Sequence, residues 1–507
     1  MSRVSLFVIV YTHVYKALHN TDLVFSLGTV IALYTIVGMF GALSCIFLGD
    51  LLGRRRTIFL ASGVSIIGAI LMSSSFSLAQ FIVARIVLGL GTGGYTATVP
   101  VWQSELSKAS HRGAHVVTEG IFIGAGIALS LWIDFGFYFI TWSSVAWRFP
   151  LAFQIVLSLM VMAFIFTLPE SPRWLIKKNR LNEAREILAI LEDVHPNSDK
   201  INADMEEIQM SLSIAGTGSI WDMLKMGQQR ILHRTLLAAT GQMFQQMCGI
   251  NLITFYATTI FQQDLGLDAT KSRILAAAME ICQPLGGFLA FFTIDRFGRR
   301  KLMLISAAGM AVSMAVLAGT TSNVNNQGAL TVAVVFLFIF NFIFPIGFLG
   351  LTFLYATEVA PLHLRAAISG VATATTWIFN FLIAEITPVG FNTIQYRYYI
   401  IYAAINAFII PVVYFCFPET NGRSLEEMDE IFARSKNIFD PPRIARALPR
   451  TREAGHTVVD SEKSVQNTDF RKKDRETDNG TDMVERVENN DVTNHANDEA
   501  ATAATAL

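Results

Sequence analysis

The chain has 507 residues, of which 52% are hydrophobic and only 16% are charged, and its mean hydropathy is +0.45. Ordinary soluble domains carry about 25% charged residues, so this composition argues against a water-soluble protein. The formal net charge of −1 provides no broad basic surface, which excludes nucleic acid as a class of partner. The four cysteines lie in apolar runs without CxxC spacing, so neither a disulfide framework nor a zinc site is predicted.

Eleven apolar runs long enough to cross a bilayer follow one another along the chain, five before a long polar insert and six after it. They lie at 25–47, 58–77, 80–102, 116–140, 148–168, 234–260, 274–294, 302–320, 329–356, 367–390 and 398–417. Runs this long and this continuously apolar are helical, because the strands of a membrane barrel alternate in polarity over about ten residues. The sequence therefore predicts an all-α polytopic membrane protein.

The spans divide the chain into two membrane bundles. Residues 1–24 are an atypical N-terminus, because their short apolar run cannot cross a bilayer and no signal-peptide cleavage site follows it. The five spans within 25–168 form an N-terminal helix bundle, and the six within 234–417 form a C-terminal bundle. Between them, residues 169–233 are a charged segment that is predicted to form a cytoplasmic helical linker domain.

The loops and the C-terminal region indicate the orientation. Lys and Arg crowd alternate loops, such as Arg54–Arg56 and Arg296–Lys301, so these loops are expected to face the cytoplasm. A cap segment, 418–434, follows the last span on the same side. Residues 435–507 are polar, charged and poor in aromatics, which predicts a disordered cytoplasmic tail, a candidate site for regulatory partners. We expect a multi-pass protein of the plasma membrane with a cytoplasmic C-terminus.

Three short patterns recur in the same order in both bundles, at nearly one offset. The pairs are Asp50-Leu51-Leu52-Gly53-Arg54-Arg55 with Asp295-Arg296-Phe297-Gly298-Arg299-Arg300, Glu105 and Arg112 with Glu358 and Arg365, and Pro169-Glu170-Ser171 with Pro418-Glu419-Thr420. Parallel repeats that flank a central site are the layout of an alternating-access transporter. The repetition therefore predicts two equivalent bundles.

The repeated acids and arginines are expected to form a gating network of salt bridges that breaks when the two halves rock. Its predicted members are Asp50, Arg54, Arg55, Glu105, Arg112, Asp295, Arg299, Arg300, Glu358 and Arg365. The alternative is that the arginines only set the orientation of the chain in the membrane. That alternative does not account for the paired acids in both halves.

Six longer motifs resemble those of the sugar porter family of the major facilitator superfamily, which contains facilitative glucose transporters and fungal hexose, disaccharide and quinate permeases. The motifs are Gly49-Asp50-Leu51-Leu52-Gly53-Arg54-Arg55-Arg56, Pro100-Val101-Trp102-Gln103-Ser104-Glu105, Pro169-Glu170-Ser171-Pro172-Arg173-Trp174, Gln245-Gln246-Met247-Cys248-Gly249-Ile250-Asn251, Asp295-Arg296-Phe297-Gly298-Arg299-Arg300 and Pro418-Glu419-Thr420-Asn421-Gly422-Arg423-Ser424-Leu425-Glu426-Glu427. The resemblance implies two pseudo-symmetric bundles of six helices and a central sugar site. Since the first half shows only five spans, we expect its first helix to be missing or truncated.

One face of the helix that begins near residue 234 carries three amides, Gln242, Gln245 and Gln246, together with Gly249. Amides in hydrocarbon are costly without partners. They either tie helices together or face a wet cavity and bind sugar hydroxyls. Asn251 lies nearly opposite Gln242 in an ideal helix, so it joins that face only if the helix unwinds near Gly249.

The family resemblance extends the site to other helices. It implies that the substrate-binding residues are Gln245, Gln246, Asn251, Gln283, Trp377, Asn380 and Tyr256, the last of which belongs with Phe255 to the family's extracellular gate. The family's Pro-Trp pair is Thr352-Phe353 in this chain, and Thr376 replaces the usual Asn before Trp377. These departures leave the identity of the sugar open.

Four acids lie within or close to the spans, namely Glu119, Asp134, Glu280 and Glu385. A carboxylate inside a membrane is a functional hypothesis by default, because its charge must be paired, solvated or neutralised. Glu119 stands beside Gly120, where the family often has a sugar-binding Gln, and is a candidate for a sugar contact or a proton site. For Asp134 and Glu280, a position nearer to a membrane interface stays open.

The sequence predicts a secondary transporter that moves a mono- or disaccharide or a related polyol by alternating access, with proton symport as an open option. One alternative is a sugar sensor that does not transport and signals through its tail, and another is a truncated, inactive transporter. No nucleophile–base pair, metal cluster or phosphate loop stands out, so neither an enzyme nor a cofactor or metal site is predicted.

Overall fold

A computed structural model describes residues 23–448 apart from 108–111, 141, 216–219, 324–325 and 424. Within this part of the chain, ten helical segments are long and apolar enough to cross a membrane. The predicted all-α fold is confirmed. Of the atypical N-terminus predicted at 1–24, residues 1–22 lie outside the described part.

Among the described residues, five long helices form the N-terminal bundle. They are α1 Leu23–Leu52, α2 Arg54–Ser73, α3 Leu78–Leu106, α4 Arg112–Tyr138 and α5 Val145–Phe164. Glycines allow α1 and α3 to touch along their backbones, as at Gly93, where a Cβ atom would lie 2.0 Å from the carbonyl oxygen of Gly38. Such close approach through small residues is typical of helix packing in membranes, where dispersion rather than the hydrophobic effect holds helices together.

The predicted linker contains three helices, α6 Pro172–Lys177, α7 Leu181–Glu192 and α8 Asp199–Ala215. Their apolar faces form a small core of their own around Leu175 and Ile201. Two contacts fix this core to the end of α1, because Trp174 Nε1 donates to the Asp50 carbonyl oxygen at 3.0 Å and Lys177 Nζ lies 2.6 Å from the Asp50 carboxylate. The linker is thereby held against the N-terminal bundle.

In the part of the chain that the structure describes, nine α-helices form the C-terminal bundle, and some of them follow one another within one membrane crossing. They are α9 Ile231–Met247, α10 Ile250–Thr259, α11 Ala269–Glu280, α12 Cys282–Phe297, α13 Arg299–Thr321, α14 Gln327–Phe344, α15 Leu351–Val359, α16 Arg365–Ile394 and α17 Arg397–Cys416. The predicted continuous span at 234–260 is wrong in one respect. It is divided into α9 and α10, so neither piece is among the ten long segments.

Two short helices follow the last span, α18 Leu425–Arg434 and α19 Pro441–Ala447. The carboxylate of Asp429 in α18 lies 2.6 Å from the guanidinium of Arg234 at the start of α9. The prediction of disorder from residue 435 onward is wrong for 435–448, because the apolar side of α19 buries Pro441, Pro442 and Ala445. The rest of the predicted tail, 449–507, lies outside the described residues.

Candidate functional site

A cavity of about 390 Å³ lies between the two bundles, a size typical of small-molecule sites. Helices α2 to α5 line it from one side, and α9, α10, α12 and α14 to α16 line it from the other. Six of the predicted substrate-binding residues line this cavity: Gln245, Gln246, Asn251, Gln283, Trp377 and Asn380. The structure therefore brings together residues that are far apart in the sequence.

The break between α9 and α10 places Asn251 on the cavity. Gly249 adopts φ 101°, a left-handed conformation that favours glycine, and the second helix begins directly after it. The carbonyl oxygen of Cys248 is left without its helical partner, and Asn406 Nδ2 of α17 donates to it at 2.8 Å. Because the chain unwinds here, the Asn251 amide reaches Gln246 and donates to its Oε1. The helix thus unwinds near Gly249, as the sequence required for Asn251 to join the face of the amides.

Replacing Gly249 by alanine is expected to destabilise the protein by roughly 1–3 kcal/mol, because alanine resists this backbone conformation. The added Cβ atom would also lie 3.0 Å from the Tyr402 ring. Loss of the break would turn Asn251 from the cavity, so uptake should fall with stability. The control is Gly319→Ala in α13, where a Cβ atom meets nothing within 4 Å. Thermal unfolding and uptake would be measured for both; equal behaviour of the two variants would contradict this account.

The amides of α9 serve two different purposes. Gln242 accepts a hydrogen bond from Thr376 Oγ1 of α16 at 2.7 Å, so it ties two helices together and does not line the cavity. Gln245 Nε2 donates at 2.9 Å to the carbonyl oxygen of Leu349, which ends a π-helical turn between α14 and α15. Gln246 Nε2 in turn donates to Gln245 Oε1 at 3.1 Å. These bonds fix the orientation of the two amides that line the cavity.

A buried carboxylate lies one helical turn from the cavity amide Gln283. Glu280 is fully buried, and it accepts a hydrogen bond from Gln283 Nε2. The same amide nitrogen lies 3.2 Å from Asn341 Oδ1 and 3.4 Å from Thr254 Oγ1. Among the ion pairs of the described residues, none joins Glu280 to a Lys or Arg side chain. The buried Glu280 carboxylate is thus linked to the wall of the cavity through its hydrogen bond with Gln283.

Two predicted site residues lie elsewhere. The Tyr256 hydroxyl donates to the Ala384 carbonyl oxygen at 3.1 Å, and the residues that line the cavity include its neighbour Phe255 instead. Glu119 is partly buried in α4 and is not one of the residues that line the cavity. The substrate or proton roles of Tyr256 and Glu119 stay predictions.

Two charged residues line the cavity, of which Asp134 is among the four acids named from the sequence and Arg85 is not. Arg85 of α3 lines the cavity, with its guanidinium carbon 5.4 Å from the centre of the Tyr34 ring, and Asp134 of α4 lines it as well. Both are buried. The rule that an ionisable residue within a span is a functional candidate would have found Arg85, because it lies inside the predicted span 80–102.

An ion pair holds together the N-terminal half of the predicted gating network. Arg54 contacts the Glu105 carboxylate with two nitrogens, Nε at 2.9 Å and Nη2 at 3.1 Å, and lies 3.4 Å from Asp50. The Glu170 carboxylate accepts the backbone N–H groups of Arg54 and Arg55 at 3.1 and 3.2 Å. An anion at these positions satisfies N–H groups that the first turn of α2 leaves without helical partners.

The C-terminal half repeats this geometry. Arg299 contacts Glu358 with Nε at 3.2 Å and Nη2 at 2.8 Å, and lies 2.9 Å from Asp295. Glu419 accepts the backbone N–H groups of Arg299 and Arg300 at 2.8 and 3.1 Å. In the sequence, Glu170 and Glu419 stand out only as parts of repeated motifs. Their role as caps depends on a loop folding back onto a helix end, which spacing alone does not show.

Some contacts of the network, among the described residues, cross between the two halves. Arg365 Nη1 of the C-terminal half lies 4.0 Å from Glu105 Oε1, and the Asp295 carboxylate accepts the backbone N–H of Ala114 at 3.0 Å. The Arg54–Glu105 and Arg299–Glu358 pairs lie within single halves. A rocking motion would therefore break the crossing contacts and leave the two strong pairs intact, which refines the predicted gating network.

Two predicted members of the network have different positions. The side chain of Arg55 donates to the Phe166 carbonyl oxygen, and that of Arg300 donates to the Tyr414 carbonyl oxygen. These two arginines therefore satisfy helix ends, and no ion pair within the described part of the chain joins them to an acid. The side chain of Arg112 lies outside the described part of the chain.

Two pseudo-symmetric helix bundles, a central cavity whose lining includes several amide side chains, and repeated ion pairs at one end define a membrane transporter of the major facilitator fold. The family model described as "Sugar (and other) transporter" matches residues 5–432. The chain belongs to this family.

Curated relatives and solved structures agree. The chain is 37% identical over 430 residues to the sugar transporter STL1 of Saccharomyces cerevisiae, a match that covers 83% of this chain and 75% of STL1. It is 38% identical to the MFS-type transporter oryC of Aspergillus oryzae, with 84% and 81% covered. The structure of the proton:xylose symporter XylE bound to 6-bromo-6-deoxy-D-glucose matches with a TM-score of 0.75 at 21% identity, covering 85% of this chain and 96% of that one. These relatives are transporters, and the sensor alternative gains no support.

Proposed function

We propose that the protein moves a mono- or disaccharide or a related polyol across the plasma membrane by alternating access, with its C-terminus in the cytoplasm. The observation that carries the proposal is a pair of buried acceptors in the cavity wall. Gln283 Oε1 and Asn380 Oδ1 have no hydrogen-bond partner among the described residues. Buried acceptors without partners are costly, and hydroxyl groups of a polyol are donors of the right kind.

The other cavity groups suit the same class of substrate. The Trp377 ring offers an apolar face, and its Nε1 donates to Thr96 Oγ1 of the opposite bundle at 3.4 Å. A substrate held between these helices would touch both halves at once. Its contacts can then differ between the two orientations of the halves, which is what coupling of substrate to rocking requires.

The test is uptake of radiolabelled glucose, galactose, xylose and glycerol by a host without endogenous sugar transporters. Asn380→Leu and Gln283→Leu are expected to weaken the apparent affinity roughly tenfold to a hundredfold, since each removes a bond to a buried hydroxyl. The control is Gln80→Leu, which removes an amide at the start of α3 outside the cavity. Uptake unaffected by the cavity variants, or no uptake of any of the four compounds, would contradict the proposal.

We also propose that transport is coupled to protons through Glu280. Its carboxyl group can exchange a proton, and its contact with Gln283 links that exchange to the cavity wall. An ionised Glu280 holds the Gln283 N–H, whereas a protonated one can donate its own hydrogen and release that N–H to a substrate hydroxyl. Glu119, the acid that the sequence favoured, has no contact of this kind with a residue of the cavity wall among the hydrogen bonds of the described residues.

A further inference from the structure

A second cavity, a groove lined by several cations, lies beside the end of α17. Its walls are the last turn of α17, the segment between α18 and α19, and α19 itself. Four of its lining residues are cations, namely Arg230, Lys436, Arg443 and Arg446. Its position beside the loops rich in Lys and Arg places it on the predicted cytoplasmic side.

The acidic residue of the groove, Asp440, already accepts hydrogen bonds from the backbone. Its carboxylate accepts the backbone N–H groups of Lys436 at 2.9 Å and Asn437 at 2.7 Å. These bonds lower the pKa of Asp440 and keep it ionised. Four cations therefore face one carboxylate, and the groove carries a net positive charge that an anion would balance.

The rim of the groove is apolar and exposed. Phe415 on the last turn of α17 is 55% exposed, and Ile438 and Phe439 are 46% and 49% exposed. Phe408, two turns earlier on the same helix, is 63% exposed. A continuous apolar surface thus runs along α17 and ends at the cations.

Two arginines, Arg230 of the groove and Arg300 beside it, connect the groove to the C-terminal bundle. Arg230 directly precedes α9, and its Nη1 donates to the Ser435 carbonyl oxygen at 3.0 Å. Arg300, at the start of α13, packs over the Tyr414 ring with its guanidinium carbon 4.7 Å from the ring centre. The groove is therefore built from three separate parts of the chain that meet at one helix end.

We propose that this groove binds the phosphate headgroup of an anionic phospholipid, with the acyl chains lying along the exposed face of α17. Basic pockets at the cytoplasmic ends of membrane helices suit such headgroups. The combination of a cationic floor and an apolar rim selects a lipid over a soluble anion, because only a lipid fills both parts. A bound headgroup would brace α18 and α19 against the start of α9, the helix that carries the cavity amides.

The test is a binding titration of the purified full chain in detergent by native mass spectrometry. The probes are dioctanoyl phosphatidylserine, dioctanoyl phosphatidylcholine and inorganic phosphate. Phosphatidylserine should bind more tightly than phosphatidylcholine, and inorganic phosphate should not displace it. The double variant Arg443→Ala/Arg446→Ala is expected to weaken phosphatidylserine binding roughly 30-fold, since each cation near an anionic headgroup contributes about a factor of five.

The charge-matched control is Lys225→Ala/Arg434→Ala, which removes two exposed cations outside the groove. It should bind phosphatidylserine as the unaltered protein does. A second pair, Lys436→Ala/Arg443→Ala, repeats the test if the first pair fails to fold, as judged by thermal unfolding. Unchanged phosphatidylserine binding in a folded groove variant would overturn the proposal, and so would displacement by inorganic phosphate, which would make the ligand a free anion.

Discussion

Replacing Glu105 by glutamine is expected to abolish measurable transport and to destabilise the protein by about 3–5 kcal/mol, the cost of leaving a buried partner charge uncompensated. Glu105 is buried, pairs with Arg54 through two nitrogens and lies 4.0 Å from Arg365 of the other half. Its loss therefore affects both a pair within one half and a contact between the halves. Thermal unfolding in detergent and radiolabelled uptake would measure the two effects.

The matched control is Glu358→Gln, which removes the equivalent pair of the other half. Arg299 keeps Asp295 at 2.9 Å, and no ion pair of the described residues joins Glu358 to the N-terminal half. Both variants should lose stability, but only Glu105→Gln should lose a contact across the halves. A double-mutant cycle of Glu105→Gln with Arg365→Gln isolates that contact. A coupling energy of zero in the cycle would show that the contact between Glu105 and Arg365 does not hold the two halves together.

The sequence predicts the charge network because both halves repeat it, but the repeat does not show the partner of every member. Arg54 and Glu105 could be matched from the repeat, since Arg299 and Glu358 recur in the same order. Nothing in that pattern shows that Arg55 turns to the Phe166 carbonyl oxygen and not to an acid. That choice depends on where the end of a neighbouring helix falls, which is a property of the packed bundle.

The cavity shows the same division between local and distant information. The break at Gly249 could be predicted from the sequence, because an ideal helix would place Asn251 nearly opposite Gln242. Gly249 and Asn251 both lie within one short segment. The partner of Gln242 could not be foreseen, since Thr376 lies on a helix more than a hundred positions later in the chain. Order at 435–448 was missed for a related reason. Its stability comes from contacts with preceding parts of the chain, such as Arg423 Nη2 to the Leu448 carbonyl oxygen at 2.9 Å, and not from its own composition.

Replacing Glu280 by glutamine is expected to leave exchange of substrate across the membrane intact and to abolish accumulation driven by a proton gradient. Glutamine has nearly the same shape as glutamate, and its Oε1 can still accept the Gln283 N–H, so the cavity wall keeps its geometry. It cannot exchange a proton, so rocking of the halves would no longer carry one. Coupling would be lost while binding is retained.

The measurement compares uptake with and without an imposed pH gradient in proteoliposomes, together with exchange at equal pH on both sides. Glu119→Gln is the matched control, because it removes another acid within a membrane span that does not touch Gln283 among the hydrogen bonds of the described residues, and it should keep the response to the gradient. If the unaltered protein ignores the gradient, the proton proposal fails while sugar transport stands. If Glu119→Gln loses the response and Glu280→Gln keeps it, the coupling acid is the one in α4, and the link through Gln283 is wrong.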